Sequence, residues 1–372
     1  MDFKSRLLQQ LRSRAEALAE RQCLVGFDGF VDTIVSPVAR RAGQGDRFTP
    51  FSSIAAFGQR VLEAAGKSTN FEFYPRMEKA GGNGPIMAGA LAALGAGVTC
   101  AGAFGQGGTV DPIFADLARR ARLVSLGEPA RTTAVEFPDG KLMLGTMRSL
   151  DDITPGAIAA AFGADGYREA VGAADLMVLA NWTMIPNMTA IFADLTGKVL
   201  PAAARRPGRI FFFDLADPEK RSRDDLAGAL EALARFEPFG RVTLGLNLRE
   251  AQQVAGVLGF GAEPETAAGF QDMAARIRER LDLATVVVHP KESAACATRE
   301  GAWWVPGPYC ENPLITTGAG DHFNAGFAAG QLLGLDPDAC LGLGVGTSGH
   351  YVRTSRSPEP ADIEALLAAW RD

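Results

Sequence analysis

Basic charge is in short supply: 37 lysines and arginines face 43 aspartates and glutamates, a net charge of −6. A nucleic acid or an anionic membrane as main partner would call for a basic face, so the balance argues against both. Long hydrophobic runs are missing as well, and no apolar stretch reaches the ~20 residues needed to span a bilayer. Cysteine is sparse. Cys23, Cys100, Cys296, Cys310 and Cys340 are odd in number, far apart and without a C-x-x-C pair, which leads to the expectation of reduced thiols in a cytoplasmic protein. Residues 1–22 are charged throughout, and Phe3, Leu7, Leu8, Leu11, Ala15 and Leu18 mark the apolar face of an amphipathic helix, not a signal peptide. Repeats, low-complexity tracts and long linkers are absent too. The 372 residues, 47% of them hydrophobic, are expected to bury one large core, with 1–372 forming a single α/β domain.

The patterning that is present points to a sheet. Residues 23–27 are an apolar run ending in Asp28-Gly29, a buried first strand that 31–35 is expected to prolong, with Asp32 inside it. From residue 176 onward, apolar runs at 176–180, 209–214, 241–246 and 285–289 alternate with helical or polar segments. Such alternation predicts a Rossmann-like, mostly parallel central sheet with helices on both faces, and ligands at the carboxyl ends of the strands. Asp28, Asn181, Asp214, Asn247 and His289 occupy those ends. Two features do not fit that sheet: an alternating stretch at 70–75, and a hairpin about Pro138-Asp-Gly140. They are expected to form a small β-sheet lid, inserted at about 36–80 and 128–148, whose exposed face suits a homodimer.

The chemistry gathers in residues 314–330. Gly318, Ala319 and Gly320 carry almost no side chain where an irregular segment gives way to a small-residue helix, expected to begin near Asp321. Unpaired N–H groups at a helix start, with no Cβ in the way, make an anion hole. A carboxylate there is electrostatically misplaced unless it acts as a base, so Asp321 is the candidate for taking a proton from a hydroxyl. The plainer alternative is a glycine-rich loop with Asp321 as helix N-cap. Elsewhere, Asn247-Leu-Arg-Glu250 reads equally as a capping box, and Gly81-Gly-Asn83 as a turn before a helix. Asp28 and Asp32 are acids in an apolar segment, a residue type suited to paired hydroxyls. Arg148 is either a contact for an acidic substrate group or a solvated surface residue.

Thr316-Thr-Gly-Ala-Gly-Asp321, followed by Phe323, Gly326 and Phe327, resembles the C-terminal signature of the ribokinase-like family of carbohydrate and nucleoside kinases. Gly81-Gly-Asn83, Leu94-Gly95 and Phe104-Gly105 resemble its first signature, and Asn247-x-x-Glu250 its second. The motifs stand in the family's order across most of the chain. The resemblance implies an ATP-dependent kinase that transfers the γ-phosphoryl group to a hydroxyl of a sugar or sugar-like molecule. Asp321 would be the base and the Gly318-Ala319-Gly320 backbone the anion hole. Gly81, Gly82 and Asn83 would meet the sugar together with Asp28 or Asp32. Asn247 and Glu250 would organise Mg²⁺, with Glu250 on the metal side, and Thr316 and Thr317 would lie toward the nucleotide; Lys291, in a segment that departs from the family pattern, is expected to supply a phosphate contact by point charge. Alternatives are a nucleoside kinase with Phe27, Phe30 or Trp182 stacking on the base, an ADP-dependent sugar kinase, and a catalytically silent metabolite-binding relative. Two departures lie on the nucleotide side: His289-Pro-Lys-Glu-Ser-Ala294 lacks the usual glycines, and Ile315 replaces an Asp that helps bind a monovalent cation in some relatives.

Overall fold

A run such as Ile210-Phe-Phe-Phe-Asp214 cannot alternate apolar with polar, so it forms a strand only where both faces are covered. The computed structural model, which describes residues 3–107, 109–163, 165–261 and 263–370, places it near the middle of a nine-stranded sheet. The first strands are β1 (Gln22–Gly26), β2 (Phe30–Arg41), β3 (Phe48–Pro50), β4 (Glu72–Gly81), β5 (Gly97–Gly102), β6 (Arg122–Ser125), β7 (Ala130–Phe137) and β8 (Gly140–Thr146). Then follow β9 (Leu176–Leu179), β10 (Ile210–Asp214), β11 (Arg241–Asn247), β12 (Thr285–His289), β13 (Ser293–Thr298) and β14 (Gly301–Pro306). The large sheet runs β14-β13-β12-β11-β10-β9-β1-β5-β6, parallel from β6 to β12, with β13 and β14 as an antiparallel edge. Side chains divide by parity. Phe211 and Phe213 pack with Leu24, Leu244 and Val254 on one face, and Phe212 with Val25, Leu91 and Phe327 on the other.

The chain winds from β1 to β5 and β6 in one direction and later from β9 to β12 in the other. Strand order therefore reverses beside β1, and the crevice for a ligand lies over the carboxyl ends of β1 and β9. The second sheet is built on β2, paired with β4, β7 and β3, while β8 extends it from β7. Its small core is aromatic: Phe57, from the helix Ile54–Leu62, has ring centroids 5.1 to 6.3 Å from Phe51, Phe71, Phe73 and Phe137. The α/β expectation with a smaller β-sheet holds.

One strand departs from expectation. Residues 31–35 do not prolong β1; they belong to β2 and pair with β4 and β7 in the lid. The chain turns at Asp28-Gly29, where the Asp28 carboxylate accepts backbone N–H groups from Asn83 and Gly84 and Gly29 passes against the Ala103 carbonyl. No side chain fits there. A Cβ on Gly29 would fall 2.2 Å from that oxygen. The N-terminal helix Phe3–Arg14 buries Leu7 and Leu11, and no helix among the described residues is long and apolar enough to cross a membrane.

Candidate active site

The helix Ala319–Leu332 starts two residues before the expected point, with Gly318 as N-cap at φ 93°. Asp321 thus sits third in the first turn and is not the N-cap. A left-handed N-cap favours glycine, and it turns the loop so that the Ala319 N–H reaches back to the Thr316 carbonyl at 3.1 Å. The N–H groups of Gly318, Gly320 and Asp321 have no acceptor among the described residues. Within that first turn, Asp321 Oδ1 accepts from Asn83 Nδ2 at 2.8 Å. The residue is 8% exposed. Burial pushes its pKa up to about 8, with Asp28 and Glu250 adding repulsion against the lowering influence of Asn83 and Lys79.

Asp28 and Asp32 have different surroundings. Asp28 is fully buried and accepts three hydrogen bonds, from Asn83 N–H (2.8 Å), Gly84 N–H (2.8 Å) and Asn181 Nδ2 (2.7 Å). Burial still raises its pKa to about 6. These bonds anchor the start of the helix Asn83–Ala93, whose N-cap is Gly82 at φ 101°, and so aim the Asn83 side chain at Asp321. Asp32 lies on β2, opposite Lys79 of β4 and Thr132 of β7. Its pKa is raised by burial and held back by Lys79, Thr132 and Lys141. The Asp32 carboxylate overlies Gly81, where a Cβ would come within 2.4 Å of it.

On the other side of the Gly318 loop lies a cleft of about 590 Å³ whose lining includes Asn247, His289, Lys291, Thr316 and Gly320. Asn247 and Glu250 form a capping box: Asn247 Oδ1 accepts Glu250 N–H at 3.0 Å, and Glu250 Oε2 accepts Asn247 N–H at 2.9 Å. Glu250 Oε1 takes the Asp217 N–H at 3.0 Å. The structural and metal-side readings of this motif are therefore compatible, because each carboxylate oxygen keeps a further lone pair. Next to it Asp214, at the end of β10, accepts from Asn324 Nδ2 (2.7 Å) and Ala216 N–H (2.9 Å). Its pKa is driven well up by burial and then by Glu250 and Asp321. His289 packs on Phe323 with centroids 4.7 Å apart, and burial lowers its pKa to about 4, so it enters this cleft as a neutral ring.

A model of the prokaryotic ketohexokinase family matches residues 4–370. The chain belongs to that family. It is thus a carbohydrate kinase, a phosphotransferase with an alcohol acceptor. A ketohexokinase of Haloferax volcanii is 28% identical over 366 residues, covering 96% of this chain and 94% of the relative. Among solved structures, a carbohydrate kinase from Agrobacterium tumefaciens superposes with a TM-score of 0.63 at 19% identity, covering 94% of this chain and 97% of that one. A ribokinase from Arabidopsis thaliana, in complex with ribose and ATP, gives 0.63 at 17% identity over 93% and 98%. At such identities these two show the fold.

Several residues of this ketohexokinase-family chain stand apart from the motifs. Lys79 and Lys141 come from the lid: Lys79 pairs with Asp32 in register, and Lys141 Nζ donates to Thr317 Oγ1. No sequence signal marks them, because their importance depends on which strand lies opposite which. Asp214 and Asn181 were visible as polar strand ends, though not the partners they hold. Trp182, Phe27 and Phe30 are buried in the core at 0%, 1% and 5% exposure, which removes them as a platform for a nucleoside base. Arg148 is a surface residue paired with Asp151 and Asp152.

Proposed function

We propose that this protein transfers the γ-phosphoryl group of ATP to a hydroxyl of a ketohexose, working as one kinase domain over 1–372 with lid segments at about 36–80 and 128–148. One juxtaposition carries the reading: Asp321, held by Asn83, shares a helical turn with three N–H groups that have no acceptor among the described residues. The sugar binds between that turn and the lid, with Asp32 accepting from its hydroxyls across Gly81 and Asn83 ordering the attacking end. Asp321 takes the hydroxyl proton, the freed oxygen pair attacks the γ-phosphorus, and the bond to ADP breaks. Charge developing on the phosphoryl oxygens meets Gly318, Gly320 and Asp321 N–H, with Ala319 supplying the small side chain that lets them approach. Thr316 and Lys291 face the nucleotide, whereas Thr317, expected beside them, is turned to Lys141 of the lid.

The donor set fits a hydrated magnesium ion. Among the described residues no three carboxylate, histidine or cysteine side chains stand close enough to hold a metal ion directly, so the ion would be held through its water ligands, for which Asn247 and Glu250 keep lone pairs. Bound there, Mg²⁺ would supply charge neutralisation of the phosphates. We read the half-exposed Met77 of β4 and Met143 and Leu144 of β8 as a face for a homodimer through the lid, and the five free cysteines as fitting a cytoplasmic protein.

An assay that follows product from fructose, ribose and a nucleoside, with ATP and ADP at equal concentration, tests the reading. Phosphorylation of fructose with a clear ATP preference is expected. A preference for ADP, or for the nucleoside, overturns it.

Potassium is expected to matter little. The Ile315 side chain offers no oxygen ligand, and the nearby Gly318 carbonyl already accepts twice, from the His322 N–H and from His322 Nδ1. Turnover at fixed ionic strength in potassium, sodium and a bulky organic cation should be alike. A several-fold rise confined to potassium would contradict this; an Ile315→Asp variant that acquired one would support it.

A further inference from the structure

The residue after the base is a histidine that the mechanism above leaves idle. His322 is 2% exposed, and its Nδ1 lies 2.7 Å from the Gly318 carbonyl oxygen while Nε2 lies 2.9 Å from Ser357 Oγ. A carbonyl only accepts, so Nδ1 carries the proton; Nε2 is then the bare nitrogen, and the Ser357 hydroxyl donates to it. The ring is neutral, in keeping with a pKa that burial lowers to about 4. It stacks on Tyr351 at 3.7 Å between centroids and 13° between planes. Tyr351 in turn donates its hydroxyl to the Thr317 carbonyl at 2.9 Å. Two successive carbonyls of the loop are thus bonded from one side by two stacked rings.

The geometry of the peptide unit turns this into a consequence for the anion hole. In a trans peptide the carbonyl and the next N–H point in opposite directions. Fixing the Thr317 carbonyl toward Tyr351 therefore sends the Gly318 N–H the other way. Fixing the Gly318 carbonyl toward His322, where it also accepts the His322 N–H at 3.1 Å, sets the Ala319 N–H toward Thr316 and begins the helix with Gly320 and Asp321 N–H free. Gly318 alone would not hold this arrangement, because a glycine at φ 93° reaches other conformations at little cost.

We propose that His322 and Tyr351 are positioning residues for phosphoryl transfer: a stacked pair that fixes the Thr317 and Gly318 peptides so that the anion hole is formed before the nucleotide arrives. Both rings act through the carbonyls of the loop. The kinetic consequence rests on the function proposed above; the loop-fixing itself does not.

The test compares His322→Phe, which keeps a stacking ring and loses both nitrogens, with His322→Asn, whose amide nitrogen lies where Nδ1 does. In His322→Phe, kcat on fructose is expected to fall about 10–100-fold with the sugar KM within about twofold, since transition-state donors are misaimed while the sugar contacts remain. His322→Asn should recover most of that loss. Residue-resolved amide exchange of the ligand-free protein should show faster exchange at Ala319 and at position 322 in the Phe variant, restored in the Asn variant. Unchanged exchange and kcat in His322→Phe overturns the proposal, as does an Asn variant that falls equally far. Should the wild-type protein phosphorylate no sugar, the proposed function fails, and the exchange comparison still decides the pair.

Discussion

Asp321→Asn is expected to lower turnover by about two to four orders of magnitude while leaving sugar affinity nearly unchanged, because the amide keeps the shape and the Asn83 contact site but takes no proton. In the wild-type protein the rate at low sugar should climb with pH as Asp321 ionises about its raised pKa of about 8. The variant's residual rate should lack that limb. The same shift has a sign for stability. Unfolded, the carboxyl ionises near its ordinary 3.8; folded, near about 8, so between these values the native state holds the extra proton. Its stabilising contribution is complete below 3.8 and is lost as pH rises through about 8. Asp321→Asn should therefore melt higher than wild type at pH 9 and close to it at pH 4 in thermal scans. Near-normal turnover in the variant would end the assignment of Asp321 as base.

Asp28→Ala is expected to be the most damaging change away from the reacting atoms. It strands the Asn83 and Gly84 N–H groups and the Asn181 amide in a fully buried place, and unpaired buried donors on this scale cost about 2–5 kcal/mol. Asn83 then loses its aim at Asp321, and kcat/KM should fall by about 100-fold or more. Asp32→Ala is different in kind: the sugar KM should rise with little change in melting temperature. Denaturant melts and steady-state kinetics on both variants separate the roles. If Asp28→Ala raised KM alone and kept wild-type stability, Asp28 would be the sugar ligand instead of the anchor.

Much of this was legible in the chain. The Phe211-Phe212-Phe213 run needs cover on both faces, so a central parallel strand follows from it. Small residues before Asp321 and Asn83 mark where backbone must come close to something. What stayed hidden depends on long-range register. Lys79, Asp32 and Thr132 form a row across three strands only because β4 and β7 pair with β2 at those positions. Nothing near 31–35 says that this segment leaves the first sheet; the cause is Asp28, bonded by a turn some fifty residues further on. His322 was readable merely as a polar residue in a helix, since its partners are its own loop's carbonyl and Ser357.

The bond between Asn83 and Asp321 spans 238 positions of sequence. During synthesis Asn83 leaves the ribosome early and Asp321 near the end, so the pair forms only after β9 to β12 have been made. On the chemistry proposed above, an N-terminal fragment that stops short of Asp321 holds Asn83 without its base. With Asp321 as the proposed base, catalysis waits until the last third of the chain has been made, and the nascent chain would consume no nucleotide before then.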